Sequence, residues 1–226
     1  MNMNMFEQFA SPEFLSIPTL FLSMFIPVMM INHNRHLIGN RMTTVTTWFF
    51  KKIMLNMTNQ LTAMGQKWSN LLTSLLVLIL LSNMLGLLPY TYTTTSQLSM
   101  NMALALPLWL ATVITGMLKK PTTTLAHMLP EGSPTPLIPF MIMIETVSLL
   151  MRPVALGVRL TANITAGHLL MTMISSATLN LFSSHFALSM IMTTILLLLT
   201  LLELAVACIQ AYVFVLLLIL YLEENT

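Results

Sequence analysis

Long apolar runs separated by short polar stretches organise this chain. The first run, residues 14–31, approaches the ~20 residues a membrane helix needs, with Pro18 and Pro27 inside it. The texture then changes. Over residues 35–52, Ile38, Met42, Val45 and Phe49 recur at i, i+4, i+7 and i+11, one face of a helix. Arg35, Arg41, Lys51 and Lys52 surround that face, and Trp48 suits headgroup depth. The pattern predicts a helix lying on a membrane surface. Residues 69–89 and 98–118 form two further membrane-length runs, closed by Pro89 and by Lys119, Lys120 and Pro121. The uncharged segment YTYTTTSQ, residues 90–97, turns between them.

Five prolines between 121 and 139, at 121, 130, 134, 136 and 139, mark a rigid entry to the next helix, with residues 121–136 as a linker on the matrix side. Two very long apolar stretches follow, residues 137–182 and 186–222. At ~1.5 Å per residue they would be on the order of 65 Å and 55 Å long, against a hydrocarbon core of ~30 Å. Each must tilt steeply or bend, and Pro153 offers one bend point. The expected fold is all-α: one polytopic membrane domain with about five membrane helices and one interfacial amphipathic helix. Its last two helices form a long, steeply tilted hairpin turning at Ser183–His185.

Composition agrees with a lipid setting. Of 226 residues, 56% are hydrophobic and 7% charged, where a soluble domain has about 25% charged. A net charge of +2 gives no reason to expect a nucleic-acid partner. Cys208, the single cysteine, suits helix packing. Asp is absent and Met occurs 22 times, which points to a biased genetic system such as an organelle genome. The opening MNMNMFEQFASPEF lacks a positive n-region, so neither a secretory signal nor an Arg-rich transit peptide is expected. Arg35, Arg41, Lys51, Lys52, Lys67, Lys119 and Lys120 fall on one side of this layout. By the positive-inside rule that side faces cytoplasm or matrix, with the N-terminus outside and the C-terminus inside.

Residues 141–170 carry Glu145, Arg152, Arg159, Asn163 and His168 within apolar surroundings. Such groups cost roughly 2.5–3.5 kcal/mol each at the bilayer centre, and where tolerated they mark ion or proton paths. At 100° per residue, Glu145, Arg152, Arg159, Asn163 and Ala166 share one face. His168, nine positions after Arg159, looks the other way. Glu203 and Gln210, seven apart on the return helix, share a face. Two offset water-filled half-channels fit this arrangement better than one straight pore. Glu and His exchange protons once their surroundings tune them, whereas Arg keeps its proton. Arg159 is then a fixed cation between two proton paths. Each residue also has a plainer reading: Arg152 structural or interface-facing, Asn163 a helix bridge, His168 a core histidine, Glu145 a partner of Arg152. His33, His36, His127 and His185 lie in expected loops or ends. No zinc, phosphate-loop, dinucleotide or catalytic-triad spacing occurs, so no cofactor, metal or catalytic residue is expected.

The segments NMLGLLP, QLSMNMALALPLW, LPEGSPTPLIP, RPVALGVRLTANITAGHLL and LELAVACIQAYVFVLL resemble subunit a of F-type ATP synthases, in its mitochondrial form. The resemblance covers essentially the whole chain, and RLTANITAGH is its most specific piece. It implies a stator beside a rotor ring of c subunits, each with one membrane carboxylate that Arg159 engages. Protons would enter from the intermembrane space past His168 and Glu203, with Asn163 and Gln210 near the arginine. They would leave to the matrix past Glu145. Bacterial relatives place an acid and a His in swapped order at the positions of His168 and Glu203, which argues for a titratable pair. Peripheral-stalk and small membrane subunits are further implied partners, in the mitochondrial inner membrane. A proton-carrying subunit of a non-rotary transporter or respiratory complex is the alternative, but such proteins relay through Lys or Glu, and here one Arg dominates. A purely structural anchor leaves Arg159, His168 and Glu203 unexplained.

Overall fold

A computed structural model describes residues 9–10, 12–14, 17–30, 41–58, 65–88, 91–119, 121 and 137–225. Six helices dominate. They are α1 (Thr19–Met30), α2 (Arg41–Thr58), α3 (Ser69–Gly86), α4 (Leu98–Lys119), α5 (Ile138–Ser184) and α6 (Phe186–Asn225). A two-residue antiparallel pair, β1 (Glu13–Phe14) with β2 (Ile17–Pro18), precedes α1. The all-α polytopic class expected from the pattern holds. Four helical stretches among the described residues are long and apolar enough to cross a bilayer: Gly65–Gly86, Leu98–Lys119, Ile138–Ser184 and Phe186–Glu224.

The first expected crossing differs. Helix α1 begins at Thr19 and has 12 residues, a rise of about 18 Å. Proline disfavours a helical backbone in the residue before it, so Pro18 holds Ile17 extended and the helix starts just after it. Within the described residues, 14–31 is therefore a short helix behind a strand pair. Where a helix is expected over residues 35–52, α2 runs from Arg41 to Thr58. Arg35 and Ile38 lie outside the described residues. On α2, Val45, Trp48 and Phe49 are exposed, and the Lys52 ammonium sits 4.9 Å from the Trp48 ring centre. Of the linker, only Pro121 is described; His33, His36, His127 and residues 122–136 lie outside the described residues.

The two long helices are longer than the pattern predicts: 47 residues in α5 and 40 in α6, about 70 Å and 60 Å. Only His185 interrupts them. Its N–H donates to the Leu181 carbonyl at 2.8 Å, and its own carbonyl accepts from Ser189 N–H at 3.1 Å, so both helix ends keep their backbone partners. Pro139 lies in the first turn of α5, where a missing N–H costs nothing. Pro153 lies inside the same helix, which continues through it.

Helix α4 buries a face unlike that of a helix in a water-soluble protein. On α4 the buried positions are Asn101, Ala105, Thr112 and Gly116, one polar and small-residue stripe. Leu98, Leu106, Leu110, Ile114 and Leu118 of the same helix are exposed. In lipid, apolar residues gain nothing by burial, and small or polar residues mediate helix contact instead.

Two compact units emerge from the packing. One comprises residues 1–32, 77–98 and 159–212, the other residues 33–76, 99–158 and 213–226. Both contain parts of α5 and α6. In the second unit a Cβ on Gly157 would lie 2.7 Å from Met102 Sδ and 3.6 Å from the Asn101 carbonyl carbon, so α5 approaches α4 closely there. Ala211, Phe214, Val215, Leu218, Ile219 and Leu222 form a buried helical stripe near the end of α6.

Candidate functional site

Glu203 of α6 comes close against Gly167 of α5 in the first unit. A Cβ built on Gly167 would overlap Glu203 Oε1 and lie 2.9 Å from Glu203 Cδ. Any side chain at position 167 would require that carboxyl to move. His168 is the next residue on α5. Glu203 Oε2 and His168 Nε2 are both buried without a hydrogen-bond partner. Buried polar atoms in that state cost about 1–3 kcal/mol each, and native structures keep few of them. The sequence expected His168 and Glu203 to serve one path, and the structure brings them to adjoining positions on facing helices.

Asn83 of α3 joins them. It is 2% exposed within a leucine-rich helix. Its Nδ2 donates to the Ala207 carbonyl at 3.4 Å, and its Oδ1 is buried without a partner. Ala207 is one turn beyond Glu203 and three residues before Gln210. Three polar groups with an unpartnered buried atom thus come from α3, α5 and α6 within one unit. Sequence reasoning missed Asn83 and Gly167. The signal for Asn83 was present as the polar pair Ser82–Asn83 inside a leucine-rich run. Gly167 gave no local signal, because its role depends on a residue 36 positions away.

Arg159 sits differently. It is exposed on α5, with exposed Ala155, Ala162 and Ala166 along the same helical stripe. Among the described residues no carboxylate lies within ion-pair distance of it. Asn163, one turn further on, and Gln210 on α6 are half-buried. Arg159 is exposed, whereas Nε2 of His168, nine positions along the same helix, is buried.

Glu145 belongs to the second unit. Its Oε1 lies 3.9 Å from Arg152 Nη2, so the plainer expectation of a Glu145–Arg152 pair is realised in the geometry. Arg152 Nη1 also donates to Glu224 Oε2 at 2.5 Å. In the loop before α4, Gln97 Nε2 donates to the Tyr92 hydroxyl, and burial raises the Tyr92 phenol above its usual range. His185 is exposed at the α5–α6 turn. Among the described residues no three His, Cys, Asp or Glu side chains gather as metal ligands would.

Known proteins agree with one another on what this chain is similar to. The family described as ATP synthase A chain matches residues 14–223. A protein of Lycodon semicarinatus named ATP synthase F(0) complex subunit a is 73% identical over 226 residues, all of both chains. Proteins of the same name from Struthio camelus and Pan troglodytes are 58% and 50% identical, again over the full length of both chains. With a match over nearly its entire length, the chain belongs to the ATP synthase A chain family.

Proposed function

We propose that this chain is the proton-channel stator subunit of a rotary F-type ATP synthase and catalyses no bond chemistry itself. The observation that carries the reading is the contrast within one unit. The half-buried Glu203 carboxyl lies over Gly167, next in sequence to half-buried His168, and Arg159, with no carboxylate within ion-pair distance among the described residues, lies on an exposed stripe. The pair can bind and release protons. The arginine cannot, and in this reading its charge is met by the ring.

In the forward cycle a proton enters from the intermembrane side and reaches Glu203 and His168. Asn83, Asn163 and Gln210 supply uncharged donors and acceptors that hold water along the way. The proton passes to a carboxylate of the c-ring. Arg159 attracts the next ring carboxylate in its ionised form, which breaks the O–H bond that carried the previous proton. That proton leaves to the matrix by way of Glu145. Small alanines around Arg159 let a ring helix approach closely. The ring, the peripheral stalk and small membrane subunits are its partners, and the lipid of the mitochondrial inner membrane is its solvent. The N-terminus faces the intermembrane space and the C-terminus the matrix. Helix α2, with Trp48 and Lys52 outward, lies on the matrix surface.

The test is Arg159→Ala in the assembled complex, read as ATP-driven acidification of inverted membrane vesicles. The expected result is loss of coupled pumping with the proteolipid ring still co-purifying. Pumping at the native rate would refute the reading.

A further inference from the structure

Arg152 has one formal charge and two carboxylate neighbours. Its Nη2 lies 3.9 Å from Glu145 Oε1 and its Nη1 2.5 Å from Glu224 Oε2. Its guanidinium carbon lies 5.1 Å from the centre of the Tyr221 ring. Glu145 and Arg152 are seven residues apart, two turns along one face of α5. Tyr221 and Glu224 are three apart near the end of α6, so they too share a face. All four residues fall within the same compact unit. Among the described residues no other acid lies within ion-pair distance of Arg152.

The planar guanidinium suits this position. It can stack on an aromatic face and still present two edges to two carboxylates, which a lysine ammonium cannot do. The distances are unequal, and Glu224 is the nearer partner.

We propose that Arg152 is a positioning residue of the matrix-side outlet, a cation shared between Glu145 and Glu224. This rests on the reading of Glu145 as the outlet acid. When Glu145 is ionised, the guanidinium draws on both carboxylates and holds the Glu145 side chain in register with the path. When Glu145 accepts a proton from the ring, its neutral carboxyl loosens, and Glu224 still neutralises the guanidinium. The proton then leaves Glu145 for matrix-side water, and the carboxylate regains its share of Arg152. No redox change occurs, and the cation is never left alone near lipid, where an unpaired charge is costly. Tyr221 keeps the guanidinium from swinging away between the two states. The end of α6 is thereby tied to the outlet and takes part in proton release.

The experiment uses the intact ATP synthase in proteoliposomes, with ATP-driven acidification read by a pH-sensitive dye. Arg152→Gln is expected to lower the initial rate about two- to fivefold, the range of measured couplings for partly exposed ion pairs. Glu224→Gln should give a similar loss, and the two together no more than either alone, as for members of one network. Exchanging the charges, Arg152→Glu with Glu224→Arg, should recover at least half of the native rate, whereas Arg152→Glu alone should not. A merely structural role for Arg152 predicts no such recovery. A native rate in Arg152→Gln, or a charge exchange as poor as Arg152→Glu alone, overturns the proposal. If Arg152→Gln fails to assemble with the ring, Glu224→Gln decides, and a native rate there overturns it. Glu145→Gln separates the two levels. Native pumping in that variant removes the outlet reading itself, whereas slowed pumping there with native pumping in Arg152→Gln removes only the shared-cation proposal.

Discussion

Gly167→Ala is the smallest change that should disable the inlet. The added methyl would meet Glu203 Cδ at 2.9 Å and Cγ at 3.3 Å. Carbon atoms rest at about 3.5–4.0 Å, so the carboxyl carbon must retreat by about 0.6–1.1 Å. Helix backbones on both sides resist separation, so most of the shift falls on the Glu203 side chain. If instead the helices part, overpacking costs of about 1–3 kcal/mol apply. A displacement of ~1 Å in a proton-transfer geometry can lower a rate by about a hundredfold. The expected outcome is a complex that assembles with its ring and pumps ten- to a hundredfold more slowly, by the order of magnitude of that misplacement effect. Dye-monitored acidification of inverted vesicles reads the rate, and blue-native electrophoresis reads assembly. Glu203→Asp in the same chain withdraws the carboxyl by one methylene and should restore part of the rate. Pumping within twofold of native in Gly167→Ala, or no rescue by Glu203→Asp, would refute the claim that this glycine exists to admit the acid.

Other substitutions probe other links. Arg159→Lys should lose most coupled pumping in vesicles, because an ammonium lacks the planar fork and can shed its proton; native coupling there would count against the fixed-cation role. Exchanging the titratable pair, His168→Glu with Glu203→His, should pump faster than either single substitution, since the two groups occupy adjoining positions; a double variant no better than the singles would contradict a shared site. Asn83→Leu removes the bond to the Ala207 carbonyl and one polar lining atom, and should slow acidification several-fold while the ring still co-purifies. Ala105 is fully buried on α4, and Leu110 is exposed on the opposite face. Ala105→Leu should therefore destabilise the detergent-solubilised complex by about 1–3 kcal/mol, the usual cost of overpacking, while Leu110→Ala should leave its melting temperature unchanged.

The membrane helices α3, α4, α5 and α6 are legible from hydropathy because lipid leaves a chain few options: backbone groups must be satisfied within the segment. Arg159, His168 and Glu203 are legible for the same reason, being expensive groups in an apolar setting. What the pattern could not convey is pairwise. Gly167 looks like any helix glycine until Glu203 arrives from the facing helix. Asn83 is one amide in a leucine run until Ala207 presents its carbonyl. Glu224 reads as a solvated terminal acid until α6 delivers it to Arg152. The start of α1 was misjudged for a local reason. Hydropathy alone favoured a helix from residue 14, and the backbone restriction that Pro18 places on Ile17 outweighed it.

Exposure separates the two kinds of charged group, and energetics explains why it must. A lone cation in lipid costs roughly 2.5–3.5 kcal/mol on insertion scales. One charge crossing 100 mV is worth about 2.3 kcal/mol. In the proposed cycle a ring carboxylate that pairs with Arg159 offsets a cost of that order, which is comparable with the work one proton's passage supplies. Separating a buried pair leaves an uncompensated buried charge, at about 3–5 kcal/mol, so on the proposed reading such a pair inside the chain would stall the ring. An arginine on an open stripe, neutralised only by a visitor, avoids that trap. His168 and Glu203 face the opposite requirement. On the proposed reading they exchange protons with water and the ring apart from the arginine's standing charge, which repels protons. Turning His168 half a revolution from Arg159 on one helix, and closing Glu203 against Gly167, achieves that separation with the same two helices.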